Sequence, residues 1–299
     1  MSEAESVARA LRGQRAGRGW VAFCPAHDNT RTPALSISEG RDGRLLVKCH
    51  AGCTGRDVLA ALAARGVIAG RGEWRADDAQ EVAKRRAAED ASRRQRIGVA
   101  VALWQEARPG EGSPVATYLR TARGIALRRV PEALRFHPRA VHPKGGGLAL
   151  PAMLARVDGP DGEPVGVHRT FLRPDGSGKA AIAPDKAALG PIAGGAVRLA
   201  PAGSVLAVGE GIESALSFAV VARLPVWAAL STSGLRGLVL PKLPCAEELV
   251  IAADHDTPGL AAAEALAERA LSEGRRVRIA KPPEPGQDFN DLLRKEVMA

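Results

Sequence analysis

The chain has 299 residues, a net charge of +9 and 45% hydrophobic residues, which allows two or three domains and excludes wholesale disorder. The N-terminal stretch is polar and charged, unlike a secretory leader, and the apolar stretch at 205–230 contains Glu210, Glu213 and Arg223, so it does not predict a membrane span. We expect a cytoplasmic protein with reduced thiols and no membrane partner. The basic charge suits a nucleic-acid partner, although a general preference for arginine would raise it equally well.

The first seventy residues predict a small domain. A helix over 6–13 ends at a glycine and leads into the basic loop GQRAGRGW at 13–20. Two short strands, at 34–38 and 44–49, flank a turn rich in charge and glycine. A helix over 56–68 follows, with apolar residues at helical spacing.

Three of the four cysteines in the chain lie in this small domain beside histidines. Cysteine and histidine occur here in two pairs, each at a tight turn, and the hairpin between the turns brings the pairs together. This spacing is typical of a structural zinc site. The expected ligands are Cys24, His27, Cys49 and Cys53. His50 is an alternative fourth ligand, and Cys245 is expected to be an inert thiol. Since so small a domain has little core, Zn²⁺ would supply much of its folding free energy.

A segment of dense mixed charge, residues 71–98, separates this domain from the rest of the chain. Such runs are typical of a solvated helix or a linker, and contact with phosphates is the alternative interpretation. Residues 99–135 are expected to be helical, and turn-rich short strands follow. From residue 204 onward, apolar strands alternate with helices, a pattern that predicts a parallel sheet covered on both faces.

Carboxylates follow the predicted strands of this last region. Glu210 follows VLAVG, Asp254 and Asp256 follow LVIAA, and Asp288 and Asp291 follow the last strand in GQDFNDLL. Because the carboxyl ends of parallel strands meet in one crevice, these side chains are expected to converge there and to favour Mg²⁺, with Mn²⁺ as an alternative. Helix capping is the competing interpretation for each acid taken alone.

Two segments resemble known families. FCPAHDNTRTPALSIS with LLVKCHAGC is similar to the zinc-binding domain of bacterial and phage primases through residues 20–62. The family usually ends this pattern with CxxC, whereas this chain has CHAGC, so Cys53 and His50 both stay open as ligands. VGEGIESALS, AADHDTPGLAAA and GQDFNDLL, within residues 203–295, resemble the Toprim domain, and in particular its primase-like branch in phages and mobile elements.

The resemblance implies an α/β architecture of four segments. These are a zinc-binding, ribbon-type domain at 1–70, a charged linker at 71–98, an α+β subdomain at 99–202 and a Rossmann-like Toprim domain with a parallel sheet at 203–299. It also implies that Glu210 binds metal or transfers protons, that Asp254 and Asp256 hold Mg²⁺, and that Asp288 or Asp291 assists. In the subdomain, basic side chains would line the path of template and nucleotides. The nominated residues are Arg169, Arg173 and Lys179.

The function implied is that of a DNA primase, an RNA polymerase that joins NTPs into short primers on a single-stranded DNA template. Two alternatives stay open: a metal-dependent Toprim nuclease, and a non-catalytic DNA-binding protein of replication initiation. Tyr118, the single tyrosine, gives no basis for a topoisomerase. The sequence has no GxxxxGK[ST] motif, so we expect a separate replicative helicase as a partner.

Overall fold

The computed structural model describes residues 2–17, 19–28, 32–40, 43–68 and 79–298. The chain forms two compact units, residues 1–85 and 86–299. The predicted charged segment falls partly outside the described residues, at 71–78, and its described part is helical. None of the described helices is both long and apolar enough to cross a membrane.

The first unit is a four-stranded antiparallel sheet with a helix before it and a helix after it. In chain order its elements are α1 (Glu3–Ala10), β1 (Gln14–Ala16), β2 (Gly19–Ala22), β3 (Leu35–Glu39), β4 (Leu45–Cys49) and α2 (Gly55–Ala64). The sheet order is β1-β2-β3-β4. Alternate residues of β3, Leu35 and Ile37, are buried and pack with Val7 and Leu62 of the helices. This core is small, as the sequence predicted.

Within the basic stretch at 13–20, the described residues form part of a β-hairpin and not the loop that the sequence suggested. β1 pairs with β2 in antiparallel register, with Arg15 opposite Trp20. Gly17 at the turn has φ of +58°, a conformation that glycine adopts without steric cost. The guanidinium of Arg15 lies 4.7 Å from the centre of the Trp20 ring, so a cation–π contact supports the hairpin.

The second unit contains most of the long helix α3 (Ala79–Glu106), whose first residues belong to the first unit, and an antiparallel sheet. Residues 83–96 of α3 are exposed, as expected of a solvated helix, whereas Ala100 and Trp104 pack on the sheet. The sheet runs in the order of the chain: β5 (Arg108–Pro109), β6 (Leu134–Val141), β7 (Ala149–Asp158), β8 (Pro164–Phe171) and β9 (Lys186–Leu189).

The prediction that residues 99–135 are helical throughout was wrong. α3 ends at Glu106, because the following segment RPGEGSP contains two prolines and two glycines that cannot continue a helix. The segment instead forms β5, the short helix α4 (Pro114–Thr117) and a π-helical turn over Tyr118–Ala122.

The C-terminal part of the second unit is a five-stranded sheet with helices on both faces. Its elements are β10 (Val197–Arg198), β11 (Val205–Gly209), α5 (Ile212–Ala222), β12 (Val226–Ala228), α6 (Thr232–Gly237), β13 (Glu248–Ala252), α7 (Thr257–Ser272), β14 (Arg276–Ala280) and α8 (Phe289–Met298). The order is β10-β12-β11-β13-β14, with β11 to β14 parallel to one another and β10 antiparallel at the edge.

Both faces of this sheet are buried. Ala207 and Ala252 belong to one apolar cluster, and Leu206, Val208 and Ile251 belong to the other. Burial on both faces explains why the strand sequences are almost entirely apolar. The predicted fold class, a mixed α/β protein with a small Cys/His domain in front of a parallel sheet, is confirmed.

Candidate functional site

The first candidate site is the cysteine and histidine cluster of the N-terminal unit. The donor atoms of Cys24, His27, Cys49 and Cys53 all lie within 4.8 Å of one another. Cys24 comes just after β2, Cys49 ends β4, and Cys53 precedes α2. The Nδ1 atom of His27 lies 3.1 Å from the Sγ of Cys53 and 3.7 Å from that of Cys49. Three thiols and one imidazole at this spacing form the donor set of a structural zinc site.

His50 lies outside this cluster, although it adjoins Cys49 in the sequence. Its Nε2 is 2.7 Å from the hydroxyl of Ser36 on the neighbouring strand. The extra residue of CHAGC is accommodated at Gly52, whose φ of +103° turns the backbone so that Cys53 reaches the cluster. The geometry therefore favours Cys53 over His50 as the fourth ligand.

The thiols of the cluster differ in their tendency to ionise. Burial raises the pKa of Cys53 to about 11, and the neighbouring Cys49 and Cys24 add to this effect. Burial opposes ionisation of Cys49 as well, but backbone N–H groups of Cys53 and Ala51 donate to its sulfur and lower its pKa. Three neighbouring thiolates would repel one another, so the thiols do not all ionise in the absence of a metal. A divalent cation removes this repulsion. The donor set thus fits Zn²⁺.

The second candidate site lies at the carboxyl ends of the adjacent parallel strands β11 and β13. Gly209 is in register with Ala252, so Glu210 and Asp254 follow the two strands at the same edge of the sheet. Asp256 caps α7 and accepts a hydrogen bond of 2.7 Å from the N–H of Gly259. A Cβ atom at Gly259 would lie 2.8 Å from the carbonyl oxygen of Asp254, so the close approach of α7 to this turn requires glycine.

Two carboxyl groups of this crevice, those of Asp254 and Glu210, have pKa values that are raised by burial and by neighbouring acids. Burial raises the pKa of Asp254 to about 6, and the charges of Asp288 and Asp256 add to it, while a hydrogen bond from Ser214 opposes it. The pKa of Glu210 is raised by burial and then by Asp254 and Asp256. Mutual repulsion of this kind is relieved by a bound cation. Glu210, Asp254, Asp256 and Asp288 therefore form one electrostatic group.

The two acids at the start of α8 differ in their position. The N–H of Asp291 donates to Asp288 Oδ1 at 2.8 Å, and the N–H of Asp288 donates to Asp291 Oδ2 at 3.3 Å. Asp291 is exposed and lies in the first turn of α8, whereas Asp288 caps this helix; burial raises the pKa of Asp288, and its charge acts on Asp254. The structure thus places Asp288, and not Asp291, with the carboxylate group.

Sequence reasoning missed a buried ion pair beside the crevice. Glu213 on α5 is 5% exposed; its Oε2 is 3.2 Å from the Nζ of Lys186 on β9, and its Oε1 accepts from the hydroxyl of Tyr118 at 2.7 Å. The Nε–H of Arg123 donates in turn to the Tyr118 oxygen at 2.9 Å. Burial alone would raise the pKa of Glu213, but Lys186 and Tyr118 outweigh it and lower the pKa to about 2.

Lys186 also acts on the carboxylate group itself, because its charge lowers the pKa of both Glu210 and Asp254. It is therefore a cation within electrostatic reach of the crevice, held by an ionised acid that is buried. A lone glutamate in the apolar helix IESALSFAVVA was a sequence signal for Glu213. No feature of the sequence around Lys186 distinguished it from the other basic residues.

The three basic residues that the sequence suggested as nucleic-acid contacts in the subdomain differ in burial and in their partners. Arg169 is 5% exposed, and its guanidinium donates to the carbonyls of Val141, Ala187 and Ala188. Its hydrogen-bonding capacity is thus used inside the sheet, and we do not retain it as a nucleic-acid contact. Lys179 forms an ion pair with Asp185 at 2.9 Å, and Arg173 is exposed.

The two sites differ in how closely their donors converge. Within the described ranges, the Cys/His cluster is the one set of metal-type donors that gathers within a few ångströms. The carboxylates are spread more widely, which is compatible with Mg²⁺, an ion that keeps several waters and is completed by substrate phosphate. An all-oxygen donor set with raised pKa values fits Mg²⁺ by its chemistry.

Family models match two segments of the second unit. Residues 205–299 match the Toprim domain, and residues 94–199 match a domain of unknown function, DUF7146. The expected resemblance to the Toprim domain is therefore confirmed in the C-terminal third of the chain. No curated protein sequence matches this chain.

Solved structures of primases match this chain at low sequence identity. The zinc-binding and RNA polymerase domains of the Aquifex aeolicus primase share 16% identity over 99% of this chain and 80% of that chain, with a TM-score of 0.45. A DNA primase domain from Pseudomonas aeruginosa shares 16% over 67% and 75%, with a TM-score of 0.45. The primase fragment of the bacteriophage T7 primase-helicase shares 16% over 55% and 64%, with a TM-score of 0.36.

Proposed function

We propose that this chain, whose residues 205–299 match the Toprim domain, is a DNA primase that synthesises short RNA primers on single-stranded DNA by metal-dependent nucleotidyl transfer. The observation that supports this most strongly is the carboxylate group at the ends of β11 and β13. Glu210, Asp254 and Asp256 lie there in a chain that also carries a Cys₃His cluster.

In the proposed reaction the 3′-hydroxyl of the primer attacks the α-phosphorus of an NTP, and pyrophosphate leaves. A bound Mg²⁺ would supply the neutralisation of charge that phosphoryl transfer requires. Asp254, Asp256 and Asp288 would hold it, and Ser214 would orient Asp254 through its hydrogen bond of 3.1 Å. We assign proton exchange with the reacting hydroxyl, or a further metal contact, to the half-buried Glu210, whose pKa is raised.

Cations near the crevice would bind the phosphates of the substrates. Lys186 is the first of these, because its side chain is one-third exposed and its charge is within electrostatic reach of the carboxylates. Arg173 and Lys179 are further contacts for template or NTP on the same unit. A bound Zn²⁺ would stabilise the N-terminal unit, in which the basic hairpin β1–β2 would contact the template.

The proposal places the protein in the cytoplasm, with a replicative helicase as its partner for unwinding. The sequence contains no P-loop motif of its own, and its basic charge suits a single-stranded DNA template.

The test is primer synthesis on single-stranded DNA templates of varied sequence, with labelled NTPs and Mg²⁺ or Mn²⁺. The double variant Asp254→Ala, Asp256→Ala is compared with Asp161→Ala, which removes an exposed aspartate from a surface turn. We expect template-dependent products from the wild type and the control and none from the double variant. Degradation of the template would instead favour the nuclease. Binding without synthesis, even with an added helicase, would favour the non-catalytic DNA-binding protein.

A further inference from the structure

The residue between Asp254 and Asp256 is a histidine whose side chain has two hydrogen-bond partners. The Nδ1 of His255 lies 2.8 Å from the carbonyl oxygen of Pro282, and its Nε2 lies 3.1 Å from the Nζ of Lys281. A carbonyl only accepts and an ammonium group only donates. His255 therefore donates from Nδ1 to Pro282 and accepts at Nε2 from Lys281.

The backbone of His255 binds the same segment. Its N–H donates to the carbonyl oxygen of Gln287 at 2.9 Å, and its own carbonyl accepts from the N–H of Gly286 at 2.7 Å. Four hydrogen bonds thus join this one residue to the connection between β14 and α8. That connection, residues 281–288, leads directly to Asp288, and we refer to it as the Asp288 loop.

A second contact fixes the far end of the Asp288 loop. The hydroxyl of Ser214 donates to Asp254 Oδ1 at 3.1 Å and accepts from the N–H of Phe289 at 3.2 Å. Asp288 is therefore placed between two attachments, at Gln287 and at Phe289, and both lead back to the turn that carries Asp254. Its charge acts on Asp254 across this short separation.

We propose that His255 is a positioning residue that holds the Asp288 loop against the turn of residues 254–256, and so sets how tightly the crevice binds a divalent cation. The proposal rests on the metal-binding part of the proposed function and not on primer synthesis. Neither nitrogen of His255 is free for a metal, because both are used by the loop. Residues that orient metal ligands typically change metal affinity by about 10-fold to 100-fold when they are removed.

The test compares two substitutions of the same residue. His255→Ala removes both side-chain bonds. His255→Asn keeps a donor near the position of Nδ1, so it retains the bond to Pro282 and loses only the contact with Lys281. The readouts are Mn²⁺ binding by electron paramagnetic resonance, with the Cys₃His cluster loaded with Zn²⁺, and hydrogen exchange of the Asp288 loop.

We expect His255→Ala to raise the Kd for Mn²⁺ by about 10-fold and to accelerate exchange at Gly286 and Asp288, while His255→Asn stays near the wild type. Combined with Asp288→Asn, His255→Ala should add little further loss, because it acts through Asp288. Exchange in β11 and β13 reports in the same experiment that the domain is folded, and His255→Ser serves as a second variant that cannot reach Pro282.

Two results would overturn the proposal. In the first, exchange in the Asp288 loop accelerates but the Kd for Mn²⁺ does not change. In the second, His255→Asn weakens binding as much as His255→Ala does, which would show that the bond to Pro282 does not set the affinity for the cation. Absence of Mn²⁺ binding in the wild type would contradict the metal site of the proposed function as well. Failure of primer synthesis with the expected Mn²⁺ results would leave the role of His255 intact and contradict only the polymerase.

Discussion

The two candidate metal sites of this chain differ in the fold that surrounds them. The Cys/His cluster brings four donors within 4.8 Å inside a small unit whose core comes from one sheet and two helices. The carboxylate crevice lies at the edge of a sheet buried on both faces, with its acids spread over separate strand ends. We therefore expect the N-terminal unit to depend on its metal for folding. The sheet that carries the carboxylates is expected to fold without a metal.

The electrostatics of the two sites differ accordingly. Around Cys49, backbone N–H groups already favour a thiolate. Around Asp254 the surroundings disfavour the charged form, and the compensation comes first from the hydrogen bond of Ser214 and then from the charge of Lys186, which is paired with Glu213. The Cys/His cluster is thus arranged so that a bound Zn²⁺ would complete the fold, whereas the carboxylate crevice holds acids whose repulsion a bound cation would relieve.

The largest expected effect is loss of the N-terminal fold when its metal is removed. Structural Zn²⁺ contributes about 10–16 kcal/mol in zinc-finger peptides, more than a unit of this size is expected to have in reserve. Chelation or Cys49→Ser should abolish hydrogen-exchange protection in β2 to β4 and leave that of β11 and β13 intact. Cys245→Ser, at an exposed thiol, is the control. If hydrogen-exchange protection in β3 survives chelation, folding of the N-terminal unit does not depend on a bound metal.

A smaller loss is expected from Glu213→Gln, since Lys186 loses its partner while Tyr118 can still donate to the amide oxygen. We expect about 2–3 kcal/mol at pH 7, below the full cost of breaking a buried pair because Lys186 is partly exposed. The pKa of Glu213, about 2, lies below its ordinary value of 4.5. Its contribution is therefore present above pH 4.5 and lost as pH falls toward 2.

Urea unfolding at pH 7 and pH 3 measures this difference for Glu213→Gln. The matched control is Glu264→Gln, on the exposed side of α7, which should be near neutral at both pH values. A difference that stays constant down to pH 2 would mean that the ion pair with Lys186 is not its source.

The carboxylate crevice predicts a change of opposite sign, in which Asp254→Asn stabilises the Mg²⁺-free protein. The pKa of Asp254, about 6, lies above its ordinary value of 3.8, so the fold favours the protonated form. That stabilisation is complete below pH 3.8 and is lost as pH rises through 6. At pH 8 we expect the asparagine variant to be more stable than the wild type by about 1–2 kcal/mol.

Thermal unfolding as a function of pH, with and without Mg²⁺, tests this expectation. Added Mg²⁺ should stabilise the wild type at pH 8 and should stabilise Asp254→Asn much less. An asparagine variant that is less stable than the wild type at pH 8 without Mg²⁺ would show that the crevice stores no repulsion.

The smallest effect is expected at His50, which lies beside the Cys/His cluster but bonds to Ser36. His50→Ala should change the free energy of unfolding by about 0.5 kcal/mol and leave the zinc content at one equivalent. Zinc analysis by mass spectrometry after dialysis measures this directly, with Cys53→Ala as the comparison that should lose the metal. Equal zinc loss from the two variants would reopen His50 as a ligand.

The amino-acid sequence by itself determined the features that depend on local pattern. Apolar runs followed by acids located Glu210 and Asp254 at the ends of the parallel strands β11 and β13, and the paired Cys and His turns located the N-terminal cluster. Both patterns are short-range, because a strand end or a tight turn places its own neighbouring side chains. The four parallel strands after residue 204 and the helices α5 and α7 followed from the same reasoning, whereas α6 and α8 did not.

Only the tertiary structure decided how distant segments meet. Tyr118, Lys186 and Glu213 lie on separate elements, and no spacing in the sequence links them. The packing of β8 similarly turned Arg169 inward, where carbonyls of neighbouring strands take up its donors. The bonds from His255 to the Asp288 loop belong to this class as well. Sequence pattern places a side chain on its own element, whereas burial and partners depend on which elements pack against it.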